Sequence, residues 1–245
     1  MTSSRNIAVY GGSFNPLHIG HLAIMKHLVN VAGFDAVYLV VSPKNPLKES
    51  ISSDSARDRY NAAVEAVNRH FVDKADQEVW NDQTVAARGL VHGWHAQTTV
   101  QGVTGWRAGD QREKARKSGH ADLLGCRATR VRVDDIELNM PSPHYTIRTL
   151  EALKEREPEN RFTLVMGADN LSIIRNWKDY SKILTDYGIA VFPREGYDMA
   201  QIKQDLLNEN PAYKIQLLNA PLVTISSTEI REALSNGKDI SNLLM

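Results

Sequence analysis

The sequence predicts an α/β protein built on a doubly wound parallel sheet, with a loop insertion in the middle of the chain. Three observations carry that expectation. Short apolar runs alternate with amphipathic stretches in both the first and the last third of the chain. The first apolar run breaks into a glycine-rich turn that feeds a helix-like stretch. The residues from about 71 to 130 keep neither the strand nor the helix period over a useful length.

Each element follows from its residues. Ile7 to Tyr10 is apolar throughout and closes on Gly11-Gly12, as a strand covered on both faces does. From Gly20 onward Leu22, Met25, Leu28 and Val29 recur at helical spacing, and Gly33 stands where that helix would stop. Ala36 to Val41 supplies a second strand, so strand, turn, helix and strand fit in about 35 residues, one parallel crossover unit. Ser53 or Asp54 can cap a second helix with the stripe Tyr60, Ala63, Val64 and Val67. Past the middle segment, Val131 to Leu138 reads as a strand. Tyr145 to Arg156 reads as a helix burying Ile147, Leu150 and Leu153, and Phe162 to Met166 as an apolar strand running into Gly167-Ala168-Asp169. Ile189 to Phe192 is the next strand, 199 to 208 the next helix, and Lys214 to Leu218 and Leu222 to Ile225 are short strands. Ser226 opens the last helix, where Ser226 and Glu229 have capping-box spacing and Gly237 marks the end.

Composition narrows the function classes. A chain of 245 residues is read as a single domain over 1–245, with an unassigned insertion at about 71–130. Its 29 basic and 29 acidic residues cancel, which gives no bulk electrostatic reason to bind nucleic acid or a membrane surface. One cysteine, Cys126, excludes an intramolecular disulfide framework. No apolar run approaches a membrane span and no cleavable signal follows Met1, so a cytoplasmic protein is expected. The insertion carries Trp80, Trp94, Trp106, seven glycines and the charged run Arg107 to Lys117. We expect a surface excursion there. A partner- or nucleic-acid-binding module using Arg107, Arg112, Lys114, Arg116 and Lys117 is the second reading, diluted by Asp110 and Glu113. A zinc knuckle from His92, His95, His120 and Cys126 is the third, with an unusual ligand set.

The chemistry concentrates in Gly11-Gly12-Ser13-Phe14-Asn15-Pro16-Leu17-His18-Ile19-Gly20-His21, between the first strand and the first helix. Glycines let the backbone turn its amides to an anion, and the helix N-terminus adds positive potential. His18 and His21 lie three apart and face the same way if both fall in the first helical turn, where they could donate to phosphate oxygens. The run lacks the ending of a P-loop, the spacing of a dinucleotide fingerprint and the serine elbow of hydrolases. Two histidines without a further ligand are an incomplete metal set, so no protein-held metal is expected.

These residues resemble the HxGH signature of the nucleotidyltransferases in the class I aminoacyl-synthetase-like α/β superfamily. Ile225-Ser226-Ser227-Thr228-Glu229-Ile230-Arg231 resembles the ISSTxxR motif of the same group. Gly167-Ala168-Asp169 followed by Trp177, with Pro43 to Lys48 and Ser142 to Ile147, is similar to the bacterial nicotinate-nucleotide adenylyltransferases. The likeness covers 5 to 70 and 131 to 245 and omits the middle segment. It implies a Rossmann-like nucleotidyltransferase fold and adenylyl transfer from ATP, with Mg2+ carried largely by the phosphates, to nicotinic acid mononucleotide in NAD biosynthesis.

The resemblance also assigns roles. His18, His21 and Arg231 would stabilise charge on the reacting phosphates. Gly11, Gly12, Ser13 and Phe14, together with Ser226, Ser227 and Thr228, would bind ATP. Trp177 would stack on the pyridine ring, with Lys44, Tyr145, Thr146 and Asp169 completing the acceptor site. The alternatives are a nicotinamide mononucleotide or phosphopantetheine acceptor, or a non-catalytic nucleotide-binding protein. Both small-molecule substrates are expected partners, no nucleic acid or membrane is, and a homo-oligomer stays open.

Overall fold

The computed structural model describes residues 4–43, 55–71, 130–223 and 225–245. The insertion and its three readings, and the acceptor candidate Lys44, lie outside the described residues.

Among the described residues six parallel strands form one sheet: β1 (Asn6–Gly12), β2 (Ala36–Val41), β3 (Val131–Asp134), β4 (Arg161–Gly167), β5 (Ile189–Phe192) and β6 (Ile215–Leu217), in the order β3-β2-β1-β4-β5-β6. The chain winds outward from β1 to one edge, then returns to β1's other side to start β4. That reversal is the topological switch point of an open α/β sheet, and ligands bind beyond the carboxyl ends of the strands there.

Strand alternation divides the core into two layers. Ile7 and Val9 of β1, with Tyr38 and Val40 of β2, face α3 (Thr146–Arg156) through Ile147, Leu150 and Leu153. Ala8, Tyr10, Val37 and Leu39 face the opposite layer, α1 (Ile19–Asn30) and α2 (Ala56–Phe71), through Ile24, Met25, Leu28, Ala63 and Val67. β2 is buried at every position, which is why its sequence is a continuous apolar run. Gly33, at φ 81°, turns the chain out of α1 where a side chain would be strained.

After β4 come α4 (Ala168–Ser172), a 3-10 turn at Ile174–Asn176 and α5 (Tyr180–Lys182), which runs into a π turn at Ile183–Tyr187. Then α6 (Met199–Glu209) precedes β6, and α7 (Ser227–Ser235) ends the set.

Two sequence expectations need correction. β3 stops at Asp134 instead of reaching Leu138, because the Asp134 carboxylate accepts from the Ile136 N–H (3.1 Å) and starts a 3-10 turn at Ile136–Asn139. Among the described residues of the expected strand at 222–225, Leu222, Val223 and Ile225 belong to no strand. Leu218 still donates to the Val191 carbonyl, but Pro221 has no N–H to extend a ladder and Leu222 is 50% exposed. The second helix begins at Ala56, and Ser55 Oγ accepts from the Asp58 N–H (3.0 Å); the cap candidates Ser53 and Asp54 lie outside the described residues.

Candidate active site

The cleft at the switch point has a volume of ≈ 640 Å³ and is lined from both ends of the chain. Gly11 and Gly12, expected in the turn, are the last residues of β1, paired with Val40 and Val41; the loop after them contributes Ser13 and Phe14, and α1 with its N-cap contributes His18 and His21. Asp169 and Trp177 follow β4, Tyr145 and Thr146 open α3, and Ser226, Ser227, Thr228 and Arg231 come from α7. Every candidate among the described residues therefore faces one space.

The histidines are built into the helix start. His18 is the N-cap of α1 and only 3% exposed; its Nδ1 accepts from the Gly20 N–H (3.2 Å). The His18 N–H in turn donates to Nδ1 of His21 (3.2 Å), so two imidazoles replace the hydroxyl and carboxylate of an ordinary capping box. With both Nδ1 atoms accepting, each neutral ring carries its proton on Nε2, the edge left to donate to a ligand. The ring centroids lie 3.8 Å apart. Burial first, then positive Arg194, pushes His18 down to about 4. Burial, then His18 and Arg194, holds His21 well below the usual imidazole range. Both rings are therefore neutral donors near pH 7.

Gly20 is required by close approach: a Cβ there would collide with Val223 and come within 3.0 Å of the His18 ring. Phe14, at φ 45°, occupies the left-handed region that a phenylalanine rarely adopts. Its buried ring packs edge-on against Tyr10 (5.5 Å) and His21 (5.2 Å).

The two motifs hold each other. Arg231 donates through Nη1 to the Asn15 carbonyl (2.7 Å) and through Nη2 to Thr228 Oγ1 (3.1 Å), while Ser227 Oγ donates to the Pro16 carbonyl (3.2 Å). Ser226 caps α7: its Oγ accepts from the Glu229 N–H (3.2 Å), and the Glu229 carboxylate accepts from the Ser226 N–H (2.8 Å). The first N–H of α1, on Ile19, is taken by the Leu243 carbonyl (3.0 Å), a contact with no signal in the sequence.

Two further arginines escape a sequence reading. Arg194 follows β5 by two residues; its guanidinium stands over the Phe192 ring (5.0 Å) and 3.5 Å from Asp169, and it donates to the Val223 carbonyl (3.2 Å). Its place after a strand's carboxyl end was the available signal. Arg59 is buried in α2 behind the loop. It lies one turn before Ala63 on the helix's buried face, the only hint the sequence carries. On the acceptor side, Trp177 leans partly into the core while its buried indole N–H has no protein partner. Glu137, also lining the cleft, accepts from Thr149 (2.7 Å).

The arrangement offers backbone amides, neutral N–H donors and cations around a space for phosphates, with an aromatic face beside it. Among the described residues no group of three metal-ligating side chains occurs, and no helix is long and apolar enough to cross a membrane.

Comparison with known proteins gives the lineage. The cytidylyltransferase-like family model matches residues 9–233. The "Probable nicotinate-nucleotide adenylyltransferase" of Flavobacterium psychrophilum is 32% identical over 238 residues, 97% of this chain and 91% of that one. The protein of the same name in Bacteroides fragilis is 30% identical over 236 residues, 96% of this chain and 85% of that one. Among solved structures, the Plasmodium falciparum nicotinic acid mononucleotide adenylyltransferase complexed with NaAD has a TM-score of 0.61 at 18% identity, over 97% of this chain and 88% of that chain, a likeness of fold. Its sheet order, its two interlocked motifs and these matches place the chain in the cytidylyltransferase-like family, among the nicotinate-nucleotide adenylyltransferases.

Proposed function

We propose that this chain transfers the adenylyl group of ATP to nicotinic acid mononucleotide, giving deamido-NAD and pyrophosphate in NAD biosynthesis. The observation that carries the reading is the meeting of the Gly11–Phe14 segment, two histidines with their Nε2 protons free to donate, and the α7 N-terminus with Arg231 in one cleft.

An acceptor phosphate oxygen attacks the α-phosphorus as the bond from that phosphorus to the bridging oxygen of the β-phosphate breaks. The electron pair leaves with pyrophosphate, and no covalent enzyme intermediate forms. The acceptor phosphate has its second pKa near 6 and is largely dianionic at pH 7, so no catalytic base is needed. Catalysis is then alignment plus stabilisation of the charge that develops on phosphate oxygens.

His18 and His21 donate from Nε2 to those oxygens. Gly11, Gly12, Ser13 and Phe14 present the loop to ATP. Ser226, Ser227, Thr228 and Arg231 hold the outgoing phosphates at the α7 N-terminus, where the helix dipole favours anions. Arg231 exchanges the Asn15 carbonyl for phosphate oxygen. Trp177 carries the pyridine ring, flanked by Tyr145, Thr146 and Asp169, with Lys44 for the acceptor phosphate. Magnesium would be borne mainly by the phosphates of ATP and would lower the triphosphate's charge, with Asp169 among the carboxylates that line the cleft. ATP and a mononucleotide meet in the cytoplasm, and the reading places the enzyme there.

The test is pyrophosphate release with ATP and magnesium against nicotinic acid mononucleotide, nicotinamide mononucleotide and phosphopantetheine in parallel. Clear preference for the first is expected. Preference for another acceptor would reassign the substrate, and ATP binding without release would leave a nucleotide-binding protein.

A further inference from the structure

Arg59 is 4% exposed, yet it does not line the cleft. Its guanidinium donates to three backbone carbonyls on two strand ends. Nη1 reaches Ser13, in the loop after β1, and Ser42 (3.0 Å), directly after β2; Nη2 reaches Pro43 (2.9 Å). The Ser42 N–H donates to the Gly12 carbonyl (2.9 Å), so the two strand ends are joined in both directions. Taking a guanidinium out of water is costly, and an apolar side chain of similar length would fill the site without that cost. What the charged fork supplies is the orientation of the carbonyls it holds.

The Ser13–Phe14 peptide unit is planar, with its carbonyl and its N–H pointing in opposite directions. Arg59 draws the Ser13 carbonyl away from the cleft, which aims the Phe14 N–H the other way. Phe14 needs such support, because its φ of 45° is unfavourable for a residue with a side chain. Tyr10 and His21 hold the ring, and Arg59 holds the peptide plane that precedes it.

We infer that Arg59 is a positioning residue for the nucleotide: it fixes the Ser13–Phe14 peptide so that the loop amide faces the phosphates of ATP. The inference rests on the ATP reading of the cleft. Arg59→Met keeps the length and removes the donors, whereas Arg59→Lys keeps the charge but offers a single donor centre. The measurements are binding of ATP and of inorganic pyrophosphate by calorimetry, binding of the acceptor in the absence of ATP, and thermal melting.

In Arg59→Met, ATP and pyrophosphate should each bind about tenfold more weakly, the loss expected from one misdirected hydrogen bond to a charged ligand. Acceptor affinity should stay within about twofold, and Arg59→Lys should recover part of the phosphate affinity. Lower melting temperature with unchanged pyrophosphate affinity would make Arg59 a purely structural residue and overturn the inference, as would equal weakening of acceptor and pyrophosphate. If Arg59→Met does not fold, Arg59→Lys decides: wild-type pyrophosphate affinity in that folded variant also overturns it. A wild-type protein that takes up neither ATP nor pyrophosphate removes the ATP reading itself, and the inference with it.

Discussion

His18 has two jobs in the proposed function, through two ring atoms: Nδ1 caps α1, and Nε2 is proposed to donate to the reacting phosphates. The jobs can be separated. His18→Ala should lower kcat by about 10²- to 10³-fold, the usual cost of one preorganised donor, with acceptor binding nearly unchanged. It should also lower stability by about 1 kcal/mol through the lost cap. His18→Asn retains a capping oxygen and should melt close to wild type while losing comparable activity; equal kcat in the Asn variant and wild type would remove the catalytic role. The pH dependence has a definite sign. His18 titrates near 4 in the fold against 6.5 in the unfolded chain, so the unfolded state binds more protons between those values. Stability is therefore fully present above about 6.5 and falls as pH drops toward 4. His21, also shifted down, adds in the same direction. Melting curves across that window should show the decline, and His18→Asn should flatten it.

At the scale of elements, the candidate site is a pair of helix N-termini held to one loop. Gly20→Ala would press a methyl group against Val223 and the His18 ring, an overpacking cost of about 1–3 kcal/mol, and should reduce activity more than the same change at Gly11, where a Cβ meets nothing within 4 Å. Steady-state kinetics of the two variants compare the positions directly. The elements legible in the sequence include those whose burial is uniform or periodic: β1, β2, β4 and β5 as apolar runs, α1, α2 and α3 by stripe, and α7 by its capping box; α6 and β6 are legible too. Those misread turn on single side chains. Asp134 diverts the chain after four residues of β3, and Pro221 denies a strand at Leu222. The short helical turns between Ala168 and Tyr187 are too brief to display a period. Within the site, both phosphate motifs were readable as strings. Arg59 and Arg194 were not, since an isolated arginine looks the same in sequence whether it is solvated or buried over backbone carbonyls.

The whole molecule places these parts by topology. Because β1 lies between β2 and β4, the loop after β1 and the segment after β4 open onto one side, and α7 returns from the far end of the chain to close it. A ligand in that space should stabilise the entire sheet. ATP at about 100 times its Kd should add about 2.7 kcal/mol, roughly 5–11 °C in Tm for a domain of this size. Trp177→Ala should leave the ATP shift intact and remove most of the shift given by the acceptor; loss of both would mean that Trp177 supports the cleft as a whole. The most direct measurement is the stereochemical course at phosphorus, using ATP carrying a chiral thiophosphate at the α position, with magnesium and nicotinic acid mononucleotide. Transfer with inversion is expected from a single in-line displacement. Retention would require a covalent adenylyl-enzyme, and absence of transfer would refute adenylyl transfer to this acceptor altogether.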